Sequence, residues 1–355
     1  MLSDSSTAFL KRLLDTPGPS GYETAPAGVW REEARRFAQL RVDVHGNSMA
    51  TVNPGGAPVV MLAGHIDEIG VIVQHIDEEG YAYIAGIGGW DPQVLVGQRI
   101  RFLAQHGDVF GVVGKKAIHL MKPEDREKAS KLTDLWVDIG ASSRAEAEER
   151  LSVGDAGVID SRALDLPNRR IVSRSIDDRI GAFVVLEALR RYAERPGAAQ
   201  VVAAATTQEE IAWHGGGARV GATSIGAQMA IVVDVTFATD HPGVEKKEHG
   251  DHALGSGPVL TRGSIISPVV FRLLRGTADE MKLPYTIQAA GRDTGTDADA
   301  IHIAREGIAT GLVSVPNRYM HSPNEMVSLD DLDRAADLIA ETCRRVTKET
   351  DFTAR

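Results

Sequence analysis

The sequence predicts an α/β protein, specifically an α/β/α sandwich interrupted by a small inserted β domain. From about residue 163 onward, apolar strand segments alternate with helical segments, as in a mostly parallel sheet with helices on both faces. Residues 69–162 differ, because short β-like segments between Gly-rich turns indicate a small β-barrel. The length of 355 residues suits two domains or one large one. We therefore predict one domain from residues 1–68 plus 163–355 and an inserted domain from residues 69–162.

The individual elements follow from periodicity and turn residues. Residues 7–15 and 24–40 carry apolar side chains at helical spacing and are predicted as helices. The segment LRVDVHGNSMATVN alternates like two exposed strands around a turn at Gly46 and Asn47, and APVVMLAGH is predicted as a buried strand that ends at His65. The inserted region contains the β-like segments GVIVQHID, GYAYIAGIG, QRIRFLA and GDVFGVVGKKAIHL, and one acidic helix, SSRAEAEERL. The later part is predicted to contain helices 178–194, 267–282 and 297–305 and strands 199–207, 228–236, 284–289 and 307–315.

The composition excludes several classes of protein. The net charge is -10 and no basic block occurs, so a nucleic-acid partner is not expected. The first twenty residues lack a basic segment followed by a long apolar core, and no run of about 18 apolar residues occurs elsewhere, so we expect no membrane span and a cytoplasmic location. The single cysteine, Cys343, is expected to be a packed thiol. Any metal would therefore need histidine and carboxylate ligands.

Acidic residues and histidines follow the carboxyl ends of the predicted buried strands. They are His65, Asp67, Glu209, Glu210, Asp234 and His321. Open α/β sheets bind ligands at this edge, and Asp177, at a loop-to-helix junction, could join the same site. Two histidines with several carboxylates and no thiolate suit Zn²⁺, Mn²⁺ or Co²⁺. Because there are more acids than one ion can use, the pattern favours a two-metal site with Asp177 as the candidate bridge.

Each of these residues also has a structural explanation. A histidine at a strand end is more often a satisfied polar residue than a ligand, although Asp67 could fix the tautomer of His65. Asp178 is interpreted as an N-terminal helix cap. An acid such as Asp234 inside the apolar segment IVVDVT would be costly to bury unpaired. Taken together, the residues favour a functional site.

Six motifs resemble those of the tetrahedral aminopeptidases, in order and at about the same spacing. They are AGHIDEIG, IDDRIG, TTQEEI, VVDVT, GTDADAIH and VPNRYMHSPNE. The resemblance spans nearly the whole chain, including KKAIHLM and LWVDIGASSRAEAEE in the inserted region. The family, peptidase family forty-two, contains dinuclear zinc or cobalt peptidases such as glutamyl and deblocking aminopeptidases, and some members carry an endoglucanase label.

The resemblance implies a zinc-peptidase fold whose inserted β-barrel makes a dimer contact, with dimers assembling into a hollow tetrahedral dodecamer that admits peptides. It also implies a role for each candidate: His65 and Asp234 on one ion, Glu210 and His321 on the other, Asp177 as the bridge, Glu209 as general base, and Asp67 as the residue that orients His65. The implied activity is metal-dependent removal of N-terminal residues from peptides.

Two other functions stay open from the residues alone. A glycoside hydrolase would need two carboxylates free of metal, and a metal-binding assembly without turnover would not need the base Glu209. The chain also departs from the family pattern at Ala212, Trp213 and His214, at Gly64 and Ile66, and at Arg292 and Asp293. These departures leave the metal ligands intact and put only the preferred N-terminal residue in question.

Overall fold

The computed structural model describes residues 1–211 and 215–354. Its helices are α1 Asp4–Asp15, α2 Thr24–Ala34, α3 Pro92–Leu95, α4 Pro123–Arg126, α5 Arg144–Glu148, α6 Ile176–Glu194, α7 Gly216–Ile225, α8 Lys246–His249, α9 Pro268–Met281, α10 Ala298–Ile301 and α11 Leu329–Arg345. Its strands are β1 Gln39–Val42, β2 Ser48–Val52, β3 Val59–His65, β4 Gly70–Ile76, β5 Ala82–Ile87, β6 Arg99–Ala104, β7 Gly107–Gly114, β8 Trp136–Asp138, β9 Ala156–Ile159, β10 Leu164–Leu166, β11 Arg170–Ser173, β12 Gln200–Thr206, β13 Met229–Phe237, β14 Val259–Gly263, β15 Thr286–Ala290, β16 Ala309–Asn317 and β17 Glu325–Ser328.

The main sheet has eight strands in the order β1-β2-β12-β3-β13-β16-β14-β15. Its four central strands, β12, β3, β13 and β16, are parallel, whereas β1, β2 and β14 join through antiparallel pairs. Nearly every residue of the central strands is buried, which shows that both faces of the sheet are covered. The predicted α/β class with a mostly parallel centre is confirmed.

The inserted region forms the predicted barrel. Strands β4, β5, β8, β7, β6 and β9 close into a ring of antiparallel pairs around their own apolar core. A separate small sheet has the strand order β10-β11-β17, in which β11 precedes Asp177 and β17 follows His321 along the chain. No helix in the two described stretches is long and apolar enough to cross a membrane.

Several predicted boundaries were wrong. The helix predicted over residues 24–40 ends at Ala34, because residues 39–42 pair with β2 as an edge strand. Strand β2 is largely buried rather than exposed, since it lies between β1 and β12. In α6, Asp177 and Asp178 have non-helical backbone angles, so the regular helix begins after them.

Close packing of α6 against the sheet depends on a glycine next to the site. A Cβ atom added at Gly64 would lie 2.3 Å from the carbonyl carbon of Gly181 in α6 and 2.5 Å from the Ala182 nitrogen. Both obstacles are backbone atoms, which cannot move aside as a side chain would. The close approach of strand and helix therefore requires glycine at position 64.

We expect Gly64→Ala to lower the free energy of unfolding by about 3 kcal/mol, the upper end of the usual range for overpacking. Urea denaturation would measure this change. The matched control is Gly276→Ala in α9, where an added Cβ meets nothing within 4 Å and alanine is the better helix former. If both variants unfold at the wild-type urea concentration, the proposed close contact is wrong.

Candidate active site

The parallel centre of the sheet brings the sequence-predicted residues to one edge. His65 ends β3, and Thr206, which ends β12, is its register partner, so Glu209 and Glu210 emerge beside it. Asp234 lies in β13, whose neighbour β16 leads to His321 four residues after its end. Since parallel strands end at the same edge, four separate segments contribute to one cluster.

Asp177 lies between the two histidines. Its Oδ1 is 3.3 Å from His65 Nε2 and its Oδ2 is 3.4 Å from His321 Nε2. The Oε2 atom of Glu210 is also 3.4 Å from His321 Nε2. His65, Asp177 and Glu210 present ligand atoms within 4.8 Å of one another. One carboxylate with an imidazole on each oxygen has the arrangement that a bridging ligand requires.

A second group of possible ligand atoms consists of His65, Asp178 and Asp234, again within 4.8 Å. Sequence reasoning assigned only a capping role to Asp178. Its Oδ1 does accept the Gly181 N–H at 3.0 Å, but its Oδ2 accepts the backbone N–H of His65 at 3.2 Å. Asp178 therefore anchors the backbone of a candidate ligand, with both oxygens engaged, while Asp234 has one oxygen on its neighbour's N–H.

Asp67 holds the two adjacent glutamates by their backbones. Its carboxylate accepts the N–H groups of Glu209 and Glu210, both at 3.2 Å, and the hydroxyl of Ser20 at 2.5 Å. The same carboxylate lies 3.3 Å from His65 Nδ1. The glutamate side chains then diverge, because Glu210 contacts His321 whereas Glu209 Oε2 lies 3.8 Å from His65 Nε2.

Burial and mutual repulsion shift the protonation of this cluster. Burial raises the pKa of Glu209 to about 10 and also raises the pKa values of Glu210 and Asp234. Hydrogen bonds to Asp177 and Glu210 raise the pKa of His321 to about 11. Burial opposes ionisation of Asp177 as well, but its hydrogen bonds with His321 and His65 hold the pKa of Asp177 below its usual value.

The donor set fits divalent cations. Six carboxylates surround two imidazoles: Asp67, Asp177, Asp178, Glu209, Glu210 and Asp234. Within the cluster, the buried Glu210 Oε1 has no hydrogen-bond partner among the described residues, and His65 Nδ1 has only the Asp67 carboxylate at 3.3 Å. Buried carboxylates that outnumber the cationic side chains around them are costly unless they coordinate a metal ion. Carboxylate oxygens together with imidazole nitrogens suit Zn²⁺, Co²⁺ or Mn²⁺.

The structure also reveals contributors that sequence reasoning missed. Glu325, in the quoted motif VPNRYMHSPNE, accepts the backbone N–H groups of Asp177 and His321. Asp297, in GTDADAIH, is buried and accepts the Thr206 hydroxyl. Gly89 of the inserted region offers its carbonyl oxygen 3.0 Å from His321 Nδ1. A carbonyl can only accept, so this bond leaves His321 Nε2 free to face the cluster.

The departures from the family pattern are only partly located. Ala212, Trp213 and His214 lie outside the described residues. Arg292 and Asp293 are exposed. Gly64, near the end of β3, and Ile66, which follows β3, are buried. Arg292 and Asp293 thus lie at the surface, whereas Gly64 and Ile66 serve packing.

Comparison with known proteins finds relatives along nearly the whole chain. Residues 46–338 match the family model described as M42 glutamyl aminopeptidase. A lysyl aminopeptidase from Pyrococcus furiosus is 36% identical over 353 residues, covering 97% of this chain and 98% of that protein. A TET aminopeptidase structure from a marine sediment archaeon of the Thaumarchaeota has a TM-score of 0.92 at 33% identity, covering 97% of both chains. A Pyrococcus horikoshii TET1 peptidase, described as able to assemble into a tetrahedron or a large octahedral shell, has a TM-score of 0.83 at 29% identity over 96% of this chain and all of that chain.

These similarities extend over the main sheet and the inserted barrel alike, and the range matched by the family model, residues 46–338, spans the positions of the candidate ligands. A glycoside hydrolase is not favoured, because it needs two carboxylates held apart across a sugar bond, whereas Asp177 and Glu210 lie against histidines. The chain belongs to the M42 aminopeptidase family and is a metal-dependent aminopeptidase.

Proposed function

We propose that this enzyme removes N-terminal residues from peptides at a centre of two divalent cations, Zn²⁺ or Co²⁺, with Mn²⁺ as a further candidate. His65 and Asp234 would hold one cation, Glu210 and His321 the other, and Asp177 would bridge them. The observation that supports this proposal is the position of Asp177, with one oxygen 3.3 Å and the other 3.4 Å from the two imidazoles.

When bound, a pair of divalent cations would lower the pKa of a shared water and act as Lewis acids that polarise the scissile carbonyl. Glu209 is the proposed general base, taking the proton of the attacking water and delivering it to the leaving amine. Its backbone is fixed by Asp67, yet its carboxylate stays 3.8 Å from His65. The Glu209 carboxylate therefore lies beside the proposed ligands and is more exposed than that of Glu210.

We expect a free amino terminus to be required. The acid-rich cluster favours an amine, and acetylation removes the basicity of the nitrogen, so it can neither carry a positive charge nor bind a cation. Cleavage of an N-acetylated peptide should be slower by at least about 10²-fold than cleavage of the same free peptide. Chromatography of both digests in the presence of Zn²⁺ or Co²⁺ would measure this ratio. Equal rates would contradict the proposed exopeptidase mode.

Relatives are named for different N-terminal residues. The family description names glutamyl substrates and the Pyrococcus furiosus relative is named for lysyl substrates. A panel of aminoacyl-nitroanilides, each assayed with Zn²⁺, Co²⁺ and Mn²⁺, would identify both the residue and the cation. The cytoplasmic location expected from the composition stays a prediction.

We infer that residues 69–162 serve self-association, first into dimers and then into a tetrahedral dodecamer. The Pyrococcus horikoshii TET1 peptidase is described as assembling into a tetrahedron or an octahedral shell. In this chain, Phe110 and Val112 of β7 point outward from the barrel and are 55% and 49% exposed. Large apolar side chains on one face of a strand are suited to a protein interface.

Phe110→Asp is therefore expected to lower the particle mass measured by light scattering, because a charge would replace the apolar contact. The control is Val44→Asp, which alters a fully exposed valine outside the barrel and should leave the mass unchanged. If Phe110→Asp keeps the wild-type mass, β7 is not part of the contact.

A further inference from the structure

The carboxylate of Glu325 joins the two chain segments that carry Asp177 and His321. Its Oε2 accepts the Asp177 N–H at 3.0 Å, and its Oε1 accepts the His321 N–H at 2.9 Å. The side chain is 2% exposed, so water does not share these bonds. One buried group thereby fixes the backbone of two candidate ligands that lie 144 residues apart in sequence.

Both segments need such a partner because they leave regular structure at these positions. His321 itself has a φ of 57°, and Ser175, two residues before Asp177, has a φ of 62°. These are left-handed conformations, which non-glycine residues rarely adopt unless the surroundings hold them. The backbone N–H groups at such turns have no strand or helix partner and require another acceptor when buried.

Glu325 itself is rigidly placed. It is the first residue of β17, where it pairs with Ser173 of β11, the strand that leads directly to Asp177. The next residue, Met326, pairs with Arg318 on the segment that leads to His321. The carboxylate therefore has little freedom to move away from either N–H group.

We infer that Glu325 is a positioning residue that sets the spacing between Asp177 and His321. It thereby determines how tightly the cation held by Glu210 and His321 binds. This inference rests on the proposed two-cation centre. Glu325 touches neither substrate nor cation in this assignment, and it acts only through the backbones of the two ligands. Asp67 has the corresponding relation to Glu209 and Glu210.

The test is Zn²⁺ binding to the full-length Glu325→Gln variant, measured by competition with a chromogenic chelator. A glutamine has one acceptor oxygen, so its amide N–H₂ group would face one of the two backbone donors. We expect one of the two Zn²⁺ ions to bind about 10- to 100-fold more weakly, as for other residues that orient metal ligands. The other ion shares the bridge Asp177 but keeps His65 and Asp234, so it should lose less affinity, and excess Zn²⁺ should restore kcat with little change in KM.

The matched control is Asp331→Asn. Asp331 is another fully buried carboxylate that accepts two backbone N–H groups, those of Gly255 at 2.7 Å and Gly257 at 2.8 Å, but it contacts none of the candidate ligands. We expect Asp331→Asn to lower the melting temperature while both Zn²⁺ ions bind with wild-type affinity. If Glu325→Gln does not fold, Glu325→Asp serves instead, since its shorter side chain cannot reach both donors and should weaken the same ion.

Wild-type affinity for both Zn²⁺ ions in the folded Glu325 variant would overturn the positioning role. So would an equal loss of Zn²⁺ affinity in Asp331→Asn, because general destabilisation would then explain both results. Binding of fewer than two Zn²⁺ ions by the wild-type enzyme is a separate outcome that would contradict the two-cation centre itself.

Discussion

Glu209→Gln is expected to retain both cations and to lower kcat by about 10²- to 10⁴-fold, the usual contribution of a general base. The glutamine keeps the shape of the side chain but cannot take a proton. Glu209 is the more exposed of the two adjacent glutamates and lies 3.8 Å from His65 Nε2, beyond the contacts that link Glu210, Asp177 and the histidines. Metal content by plasma mass spectrometry, measured alongside kcat, would separate loss of the base from loss of a ligand.

Glu210→Gln is the matched comparison, because the two residues are neighbours and both backbones are held by Asp67. We expect Glu210→Gln to bind one cation less tightly, with activity partly restored by excess metal. If instead Glu209→Gln loses a cation and Glu210→Gln keeps two, the roles are reversed. Full activity in both variants would place the reaction elsewhere.

The sequence predicts most of this site because two signals combine. Apolar segments such as VVMLA and AIVV identify buried strands, and the polar residues after or within them are costly to bury without a function. Parallel pairing then places His65, Asp234 and the Glu209-Glu210 pair at one edge. The structure brings all of the sequence-predicted site residues into one cluster or its immediate support.

The parts that the sequence does not predict depend on backbone geometry. The Gly89 carbonyl that contacts His321 is a backbone group, so no residue type predicts it, and it comes from the inserted region, for which the resemblance implies a dimer contact. The role of Glu325 depends on left-handed turns at Ser175 and His321, which nothing in those residue types indicates. The predicted helix 24–40 is longer than α2, because residues 39–42 pair with β2 and this pairing between strands overrides the local helical spacing.

Removing the cations is expected to abolish turnover and to make stability fall as pH rises. In the cation-free protein, burial raises the pKa values of Glu209, Glu210 and Asp234, and contacts with carboxylates raise that of His321. For the acids, the folded state holds protons that the unfolded state has already released above its own pKa of about 4. The same holds for His321 above about pH 6.5, although this residue is more than a third exposed and contributes less.

The sign follows directly, because stability falls with rising pH wherever the folded state binds more protons than the unfolded state. Each such proton lowers the free energy of unfolding by about 1.4 kcal/mol per pH unit. Asp177 and Asp67 have lowered pKa values, so their contributions are lost only in more acidic solution, below their unfolded pKa values of about 4. Between about pH 5 and pH 9, the raised groups therefore decide the slope.

Bound cations should remove this slope, since ligands bind metal as carboxylates and neutral imidazoles and release their protons. Melting temperatures of chelator-treated and Zn²⁺-loaded enzyme, measured at several pH values across that range, would test the expectation. The chelated protein should melt at progressively lower temperature as pH increases, while the loaded protein should show a flat or rising curve. A chelated protein whose stability is independent of pH would mean that the acids of the cluster are not repelling one another in the fold.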